Sequence, residues 1–110
     1  MHEIKAIIRR DRLDKVLHAL HQIVDVPGIT VSTVTGIGRR QPNDGAGAVE
    51  FGEVVMAKLE VVVPSKMLSE ALEKICTAAR TGHPGDGKVF VLPVEQAMNI
   101  RSGEQGIDAL

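Results

Sequence analysis

The sequence predicts an α+β domain, with one antiparallel sheet carrying two helices on a single face. Two observations predict it. A short apolar run at residues 4–8 (IKAII) leads into a stretch with helical spacing, and a second run at 59–63 (LEVVV) does the same. Each helical stretch is followed by another β-rich run, so the order reads β-α-β, a long connection, then β-α-β. The aromatic content of 2% is a third observation, because it forces an aliphatic core of β-branched strands on leucine-rich helices.

Each element follows from its own pattern. Residues 12–24 place Leu13, Val16, Leu17, Leu20, Ile23 and Val24 on one helical face. Asp11 is positioned to cap that helix, and Pro27-Gly28 stops it and turns the chain. Residues 29–37 (ITVSTVTGI) alternate and are β-rich, which predicts a strand. Residues 38–53 have no period and hold several glycines, which predicts a long mobile loop, either functional or a passive connection. Residues 54–63 return to a strand pattern. Pro64-Ser65 opens a second helix with Leu68, Ala71, Leu72, Ile75, Cys76 and Ala79 as its buried stripe. A glycine-rich loop, TGHPGDGK at 81–88, precedes a strand at 88–92, a short turn near 94–97, a last extended piece at 99–102 and a loose tail from 103 to 110. Two βαβ units on one sheet are the ferredoxin-like arrangement. LEVVV and KVFVL barely alternate, so both sheet faces are expected to be covered, one of them by oligomerisation.

Bulk properties narrow the function. A chain of 110 residues fits one domain. Hydrophobic content of 44% and charged content of 25% are globular, which argues against disorder. A net charge of -1 and the absence of Tyr and Trp argue against nucleic acid, which needs basic excess and stacking rings. Cys76 stands alone, so it can form neither an internal disulfide nor a cysteine zinc site, which suits a reducing compartment. The opening MHEIKAII is too short in apolar residues for a signal peptide, and no run approaches the ~20 residues of a membrane span. The expectation is a cytoplasmic protein without membrane insertion.

The TGHPGDGK loop carries the chemistry. Gly82, Gly85 and Gly87 permit positive φ and close backbone approach, and successive N–H groups in such a turn make an anion-binding concavity. Lys88 adds a point charge suited to phosphate. Asp86 would repel phosphate, so it is expected to cap the loop or to meet a sugar hydroxyl or a basic group. The order is not Walker A, and a helix precedes the loop instead of following it. From spacing alone, a phosphate cradle and a tight helix-to-strand connection are equally good readings. Gly36-Ile37-Gly38-Arg39-Arg40 and Asn99-Ile100-Arg101-Ser102-Gly103-Glu104 are two further clusters, each of which alone reads equally as solvated surface.

Together and in this order these segments resemble the PII signal-transduction family over nearly the whole chain. IKAIIRRDRLDKVLHAL resembles its opening strand and helix, and GITVSTVTGIGR its second strand, which leads to the flexible T-loop. LEVVVP opens the second half, TGHPGDGKVFVLPVE resembles its most specific signature, and IRSGE its closing motif. The resemblance implies a compact homotrimer of ferredoxin-like βαββαβ subunits with a long T-loop at about 38–53. It also implies nucleotide sites between subunits for ATP, ADP or AMP, and control of a target protein through the T-loop. It places Ile7, Thr30, Gly36, Glu60 and Val62 around adenine and ribose, and Gly38, Arg39 and Arg40 near the phosphates at the T-loop root. Thr81, Gly85, Asp86, Gly87 and Lys88 would form the phosphate loop, and Arg101 would add a guanidinium.

The sequence departs from the family at informative places. There is no tyrosine, so nucleotidylylation of the T-loop is excluded. The loop is shorter, and QPNDGAGAVEFGE does not resemble the usual one. Arg40 stands where a glutamine usually helps hold magnesium and 2-oxoglutarate, and guanidinium offers no lone pair to a metal. Met56 stands near the usual 2-oxoglutarate lysine, so both effectors are in question. Asn99 replaces the first arginine of the closing motif, which predicts weaker discrimination for the γ-phosphate. Regulation of nitrogen or related small-molecule metabolism or transport is the expected setting, without enzymatic activity beyond incidental slow ATP hydrolysis. A PII-like sensor of another metabolite or anion for a transport system, a nucleotide-processing enzyme, and a CutA-like metal-binding trimer are the alternatives. His18 and His21 lie off the apolar stripe and read as solvated, and Met56 and Met67 as packing.

Overall fold

A computed structural model describes residues 1–40 and 50–110, with the side chains of 39, 40, 50 and 51 outside the description. It contains β1 (His2–Arg9), α1 (Leu13–His21), β2 (Ile29–Arg40), β3 (Glu50–Val63), α2 (Leu68–Ala79) and β4 (Gly87–Pro93). The sheet order is β2-β3-β1-β4, and every pairing is antiparallel. This is the ferredoxin-like βαββαβ topology that the two strand–helix–strand repeats predict.

The register explains the core. β1 pairs Ile4 with Val61, Ala6 with Leu59 and Ile8 with Ala57, and all six are buried in one cluster. Because strand side chains alternate, these rungs share the face that the helices cover. Val16 and Leu20 of α1, with Ala71, Ile75 and Ala79 of α2, complete that cluster. The 3.6-residue period identifies most of this set. Two residues depart from it. Cys76 is exposed, because it falls beside the stripe and not on it. Val24 is 80% exposed, because α1 ends at His21 and the following turn carries Val24 away. Asp11 does not cap α1. It lies inside a 3-10 turn, Arg10–Arg12, and α1 has no side-chain cap.

The opposite face is built from four rungs that follow from the same pairings. They run Val62–Glu3–Leu92, then Thr30–Glu60–Lys5–Phe90, then Ser32–Lys58–Ile7–Lys88, then Val34–Met56–Arg9. This face mixes charge with apolar groups, and Phe90 is 47% exposed within the single chain. The weak alternation of LEVVV is therefore real on one side only. Leu59, Val61 and Val63 are buried, while Glu60 and Val62 sit on the outer face.

Two aperiodic segments are more ordered than their patterns predict. The strands run through residues 38–40 and 50–53, with Gly38 opposite Gly52 and Arg40 opposite Glu50. β1 ends at the Arg9–Met56 rung, so beyond it β2 and β3 form a two-stranded ribbon with no third strand among the described residues. A ribbon without a core face needs no apolar period, and its glycines mimic a loop. Residues 41–49 of the expected T-loop lie outside the described residues. The 99–102 piece is a turn and not extended, and the tail is not loose: Gly106–Ala109 forms a 3-10 helix behind a Met98–Gln105 bridge. Among the described residues, no helix is long and apolar enough to cross a membrane.

Leu59 occupies the centre of the β1–β3 ladder and is fully buried. Leu59→Ala is expected to cost about 2–5 kcal/mol through the cavity it leaves. Urea unfolding at fixed protein concentration measures it, as a lower midpoint.

Candidate functional site

The loop between α2 and β4 is organised around one carboxylate. Asp86 accepts hydrogen bonds from the Thr81 amide at 2.9 Å, the Gly82 amide at 3.0 Å and the Thr81 hydroxyl. The fourth donor is Arg9 Nε at 3.0 Å. Its acidity reflects this. The Thr81 hydroxyl and amide, followed by Arg9 and the Gly82 amide, hold the Asp86 carboxyl far below the usual carboxylate range. The expectation that Asp86 caps the loop and meets a basic group is met, and the basic group is Arg9.

The remaining loop geometry follows from its glycines and proline. Pro84 and Gly85 form a turn corner, and Gly85 has φ 92°, the sign and residue order of a type II turn. Gly87 is more constrained. A Cβ there would overlap the Ile7 carbonyl oxygen and come within 2.9 Å of the Ile7 carbonyl carbon. Only glycine lets β4 begin this close to β1. The next residue, Lys88, stands opposite Ile7, is exposed, and takes no ion pair among the described residues. The Gly85 amide likewise has no acceptor among the described residues. One cation and one free amide thus flank a carboxylate whose charge is already balanced.

A second feature lies on the outer face of the sheet. Thr30, Glu60 and Val62 line an open hollow of ≈ 480 Å³, together with Glu3, Gly28 and Leu110. Glu3 and Glu60 share a hydrogen bond that pushes the Glu3 carboxyl up and the Glu60 carboxyl down, and Lys58 lies 3.6 Å from Glu60. Ile7 belongs to the adjoining rung, between Lys58 and Lys88. Gly36 pairs with Val54 further along β2, and a Cβ there would lie 3.8 Å from Met56 Cγ. Met56 is buried, so its thioether closes the root of the ribbon.

The structure therefore sets Ile7, Thr30, Glu60 and Val62 on one sheet face and Thr81, Gly85, Asp86, Gly87 and Lys88 in the loop beside it. Ile7 and Lys88 link the hollow to the loop. Gly38 and the backbones of Arg39 and Arg40 lie on the ribbon, paired with Gly52, Phe51 and Glu50. Arg101 stands apart: it is exposed, and no hydrogen bond joins its guanidinium to the loop among the described residues. Its turn is shaped by Asn99, whose Oδ1 accepts from the amides of Arg101 at 3.0 Å and Ser102 at 3.1 Å. The residue that replaces an arginine is a turn former. Arg9 and Glu3 are not found by sequence reasoning. Only the β1–β4 register, which sets Ile8 opposite Gly87, brings Arg9 to Asp86. His18 and His21 are exposed as expected, and no group of acidic, His or Cys side chains able to hold a metal occurs among the described residues.

A ferredoxin-like sheet, a glycine loop with a balanced aspartate and a two-stranded ribbon define a class of small α+β protein. Comparison with known proteins specifies it. Residues 1–104 match the family model described as nitrogen regulatory protein P-II. The nitrogen regulatory protein P-II of Azospirillum brasilense is 44% identical over 115 aligned residues, covering 100% of both chains. That of Cereibacter sphaeroides is 43% identical over the same span, again covering 100% of both. Among solved structures, the B. subtilis GlnK–ATP complex is similar with TM-score 0.87 and 29% identity, covering 99% of this chain and 94% of that one. Arabidopsis thaliana PII bound to citrate gives TM-score 0.82 and 36% identity, covering 99% and 91%. The chain belongs to the nitrogen regulatory protein P-II family of signal-transduction proteins.

Two outcomes test the loop. Gly87→Ala is expected to destabilise by about 2–5 kcal/mol, combining overpacking against Ile7 with a left-handed backbone cost, read as a fall in the urea midpoint. Asp86 should also impose a pH dependence. Its folded pKa is depressed, so its stabilisation is complete above the unfolded value of ~3.9 and is lost as pH falls from there toward the folded value. Stability measured against pH should lose this acid-range slope in Asp86→Asn, in proportion to Asp86's share.

Proposed function

We propose that this chain binds an adenine nucleotide and reports it to a target protein through the T-loop, as a homotrimeric regulator and not an enzyme. The observation that carries the reading is the loop itself. Asp86 is held by four donors, while the Gly85 amide and Lys88 stay available. A loop so arranged offers an anion a cation and an N–H group without exposing a bare carboxylate. The similar B. subtilis GlnK was solved as an ATP complex, which supports the same ligand class here.

In this reading Gly85, Gly87 and Lys88 receive the phosphates, Thr81 and Asp86 shape the cradle, and Ile7, Thr30, Gly36, Glu60 and Val62 surround adenine and ribose. Gly38, Arg39 and Arg40 approach from the ribbon. The apolar edge at Phe90, Leu92, Met98 and Ile100 is exposed in the single chain and suits burial between subunits, where Arg101 of one subunit would complete another's site. Magnesium and 2-oxoglutarate form no part of the reading, because Met56 is a buried thioether at the ribbon root and Arg40 cannot ligate a metal. The target belongs to nitrogen or related small-molecule metabolism or transport, consistent with the family.

Calorimetric titration with ATP, ADP and AMP, each with and without magnesium plus 2-oxoglutarate, tests this. ADP is expected to bind within about tenfold of ATP, since one charged phosphate contact is missing at Asn99. The two additives should change little. Absence of heat with all three nucleotides would sink the nucleotide reading. A steady-state turnover near ~1 s⁻¹ or above would sink the regulator reading.

A further inference from the structure

The β1–α1 connection supplies two guanidinium groups to the α2–β4 connection. Arg12 donates from Nε at 3.0 Å and Nη2 at 2.8 Å to the Ala78 carbonyl, near the end of α2. That carbonyl is among the last of the helix, which lack intrahelical partners. Arg9 reaches the loop's middle. Its Nε donates to Asp86 at 3.0 Å and its Nη2 to the Pro84 carbonyl at 2.7 Å. The guanidinium also lies against Gly85, 3.4 Å from where a Cβ would stand. It therefore touches Pro84, Gly85 and Asp86, the segment that turns the loop back toward β4.

We propose that Arg9 is a positioning residue that holds the Thr81–Lys88 loop in its anion-accepting shape before any ligand arrives, with Arg12 fixing the loop's root. Three features carry this. The planar guanidinium spans two acceptors on different residues, which a single ammonium cannot do in the same fixed geometry. Asp86, the centre of the loop, is drawn to Arg9 from one side and to the Thr81 and Gly82 amides from the other, so its place is fixed between two elements. The charge of Arg9 also offsets that of Asp86, which otherwise repels an incoming phosphate. Preorganisation of this kind lowers the ordering cost of binding. The inference rests on the nucleotide reading for its ligand, but not for the loop's order.

The test uses the full chain with Arg9→Met and Arg9→Lys. In the ligand-free protein, ¹⁵N relaxation and amide exchange are read at Gly82, His83, Gly85 and Asp86, with α2 amides as the internal control. Arg9→Met is expected to mobilise the loop while α2 keeps its protection. Arg9→Lys, which retains the charge, should leave the loop partly mobile. ADP affinity is expected to fall about tenfold or more in Arg9→Met, the loss of a charge-assisted hydrogen bond, and to recover only in part in Arg9→Lys. Loop dynamics in Arg9→Met identical to the parent would overturn the proposal. Full recovery of both loop order and ADP affinity in Arg9→Lys would also overturn it, showing that charge alone matters. If the parent binds no nucleotide, the nucleotide reading fails, and the ligand-free relaxation data still decide the role of Arg9.

Discussion

The approach of β4 to β1 at Gly87 is the constraint on which the site depends. β1 is central, bonded on one edge to β3 and on the other to β4. The pairing of Ile8 with Gly87 brings the Ile7 carbonyl to a spot where no side chain fits. From that contact the rest follows. Lys88 falls beside Ile7, Asp86 falls beside Arg9, and the turn that precedes them is drawn over the end of the sheet. A one-residue slip of β4 would turn Lys88, Phe90 and Leu92 toward the helices and part Asp86 from Arg9.

The two sheet faces divide the work. The inner face, with its rungs of Ile4–Val61, Ala6–Leu59 and Ile8–Ala57, is apolar and covered by both helices. The outer face holds Glu3, Lys5, Lys58, Glu60 and Lys88 among Ile7, Val62, Phe90 and Leu92. Opposite charges interleave there, so that Glu60 meets both a carboxyl and a lysine. A surface of this kind is too polar for a core and too apolar for free solvent, which fits a lining shared with a ligand and with further chains.

Much of this can be read from the residues. The period switches at IKAII and LEVVV place the strands and helices, and TGHPGDGK marks the loop before any geometry is known. The errors have physical causes. Periodicity reports burial, so a paired ribbon without a core face reads as a loop at residues 38–40 and 50–53, and Cys76 at the margin of a stripe reads as buried. Asn99 reads only as a lost charge, and the turn that its oxygen also holds is seen in the hydrogen bonds alone. Arg9 is invisible because no neighbouring residue in the sequence points to its role. Its partner lies 77 residues away in sequence and is met only through strand pairing.

β3 is one continuous strand of 14 residues, yet only its second half packs against the core. Its first half, with the end of β2, contributes no residue to the hydrophobic cluster among the described residues, and Ile37, Val54 and Val55 are exposed. Substitutions at Ile37, Val54 and Val55 encounter little packing constraint within the subunit, whereas the core rungs beyond Met56 tolerate little change. Such a division separates exposed ribbon positions, where a change costs folding little, from the rungs of Glu60, Ile7 and Lys88, which are tied to the strands that build the core.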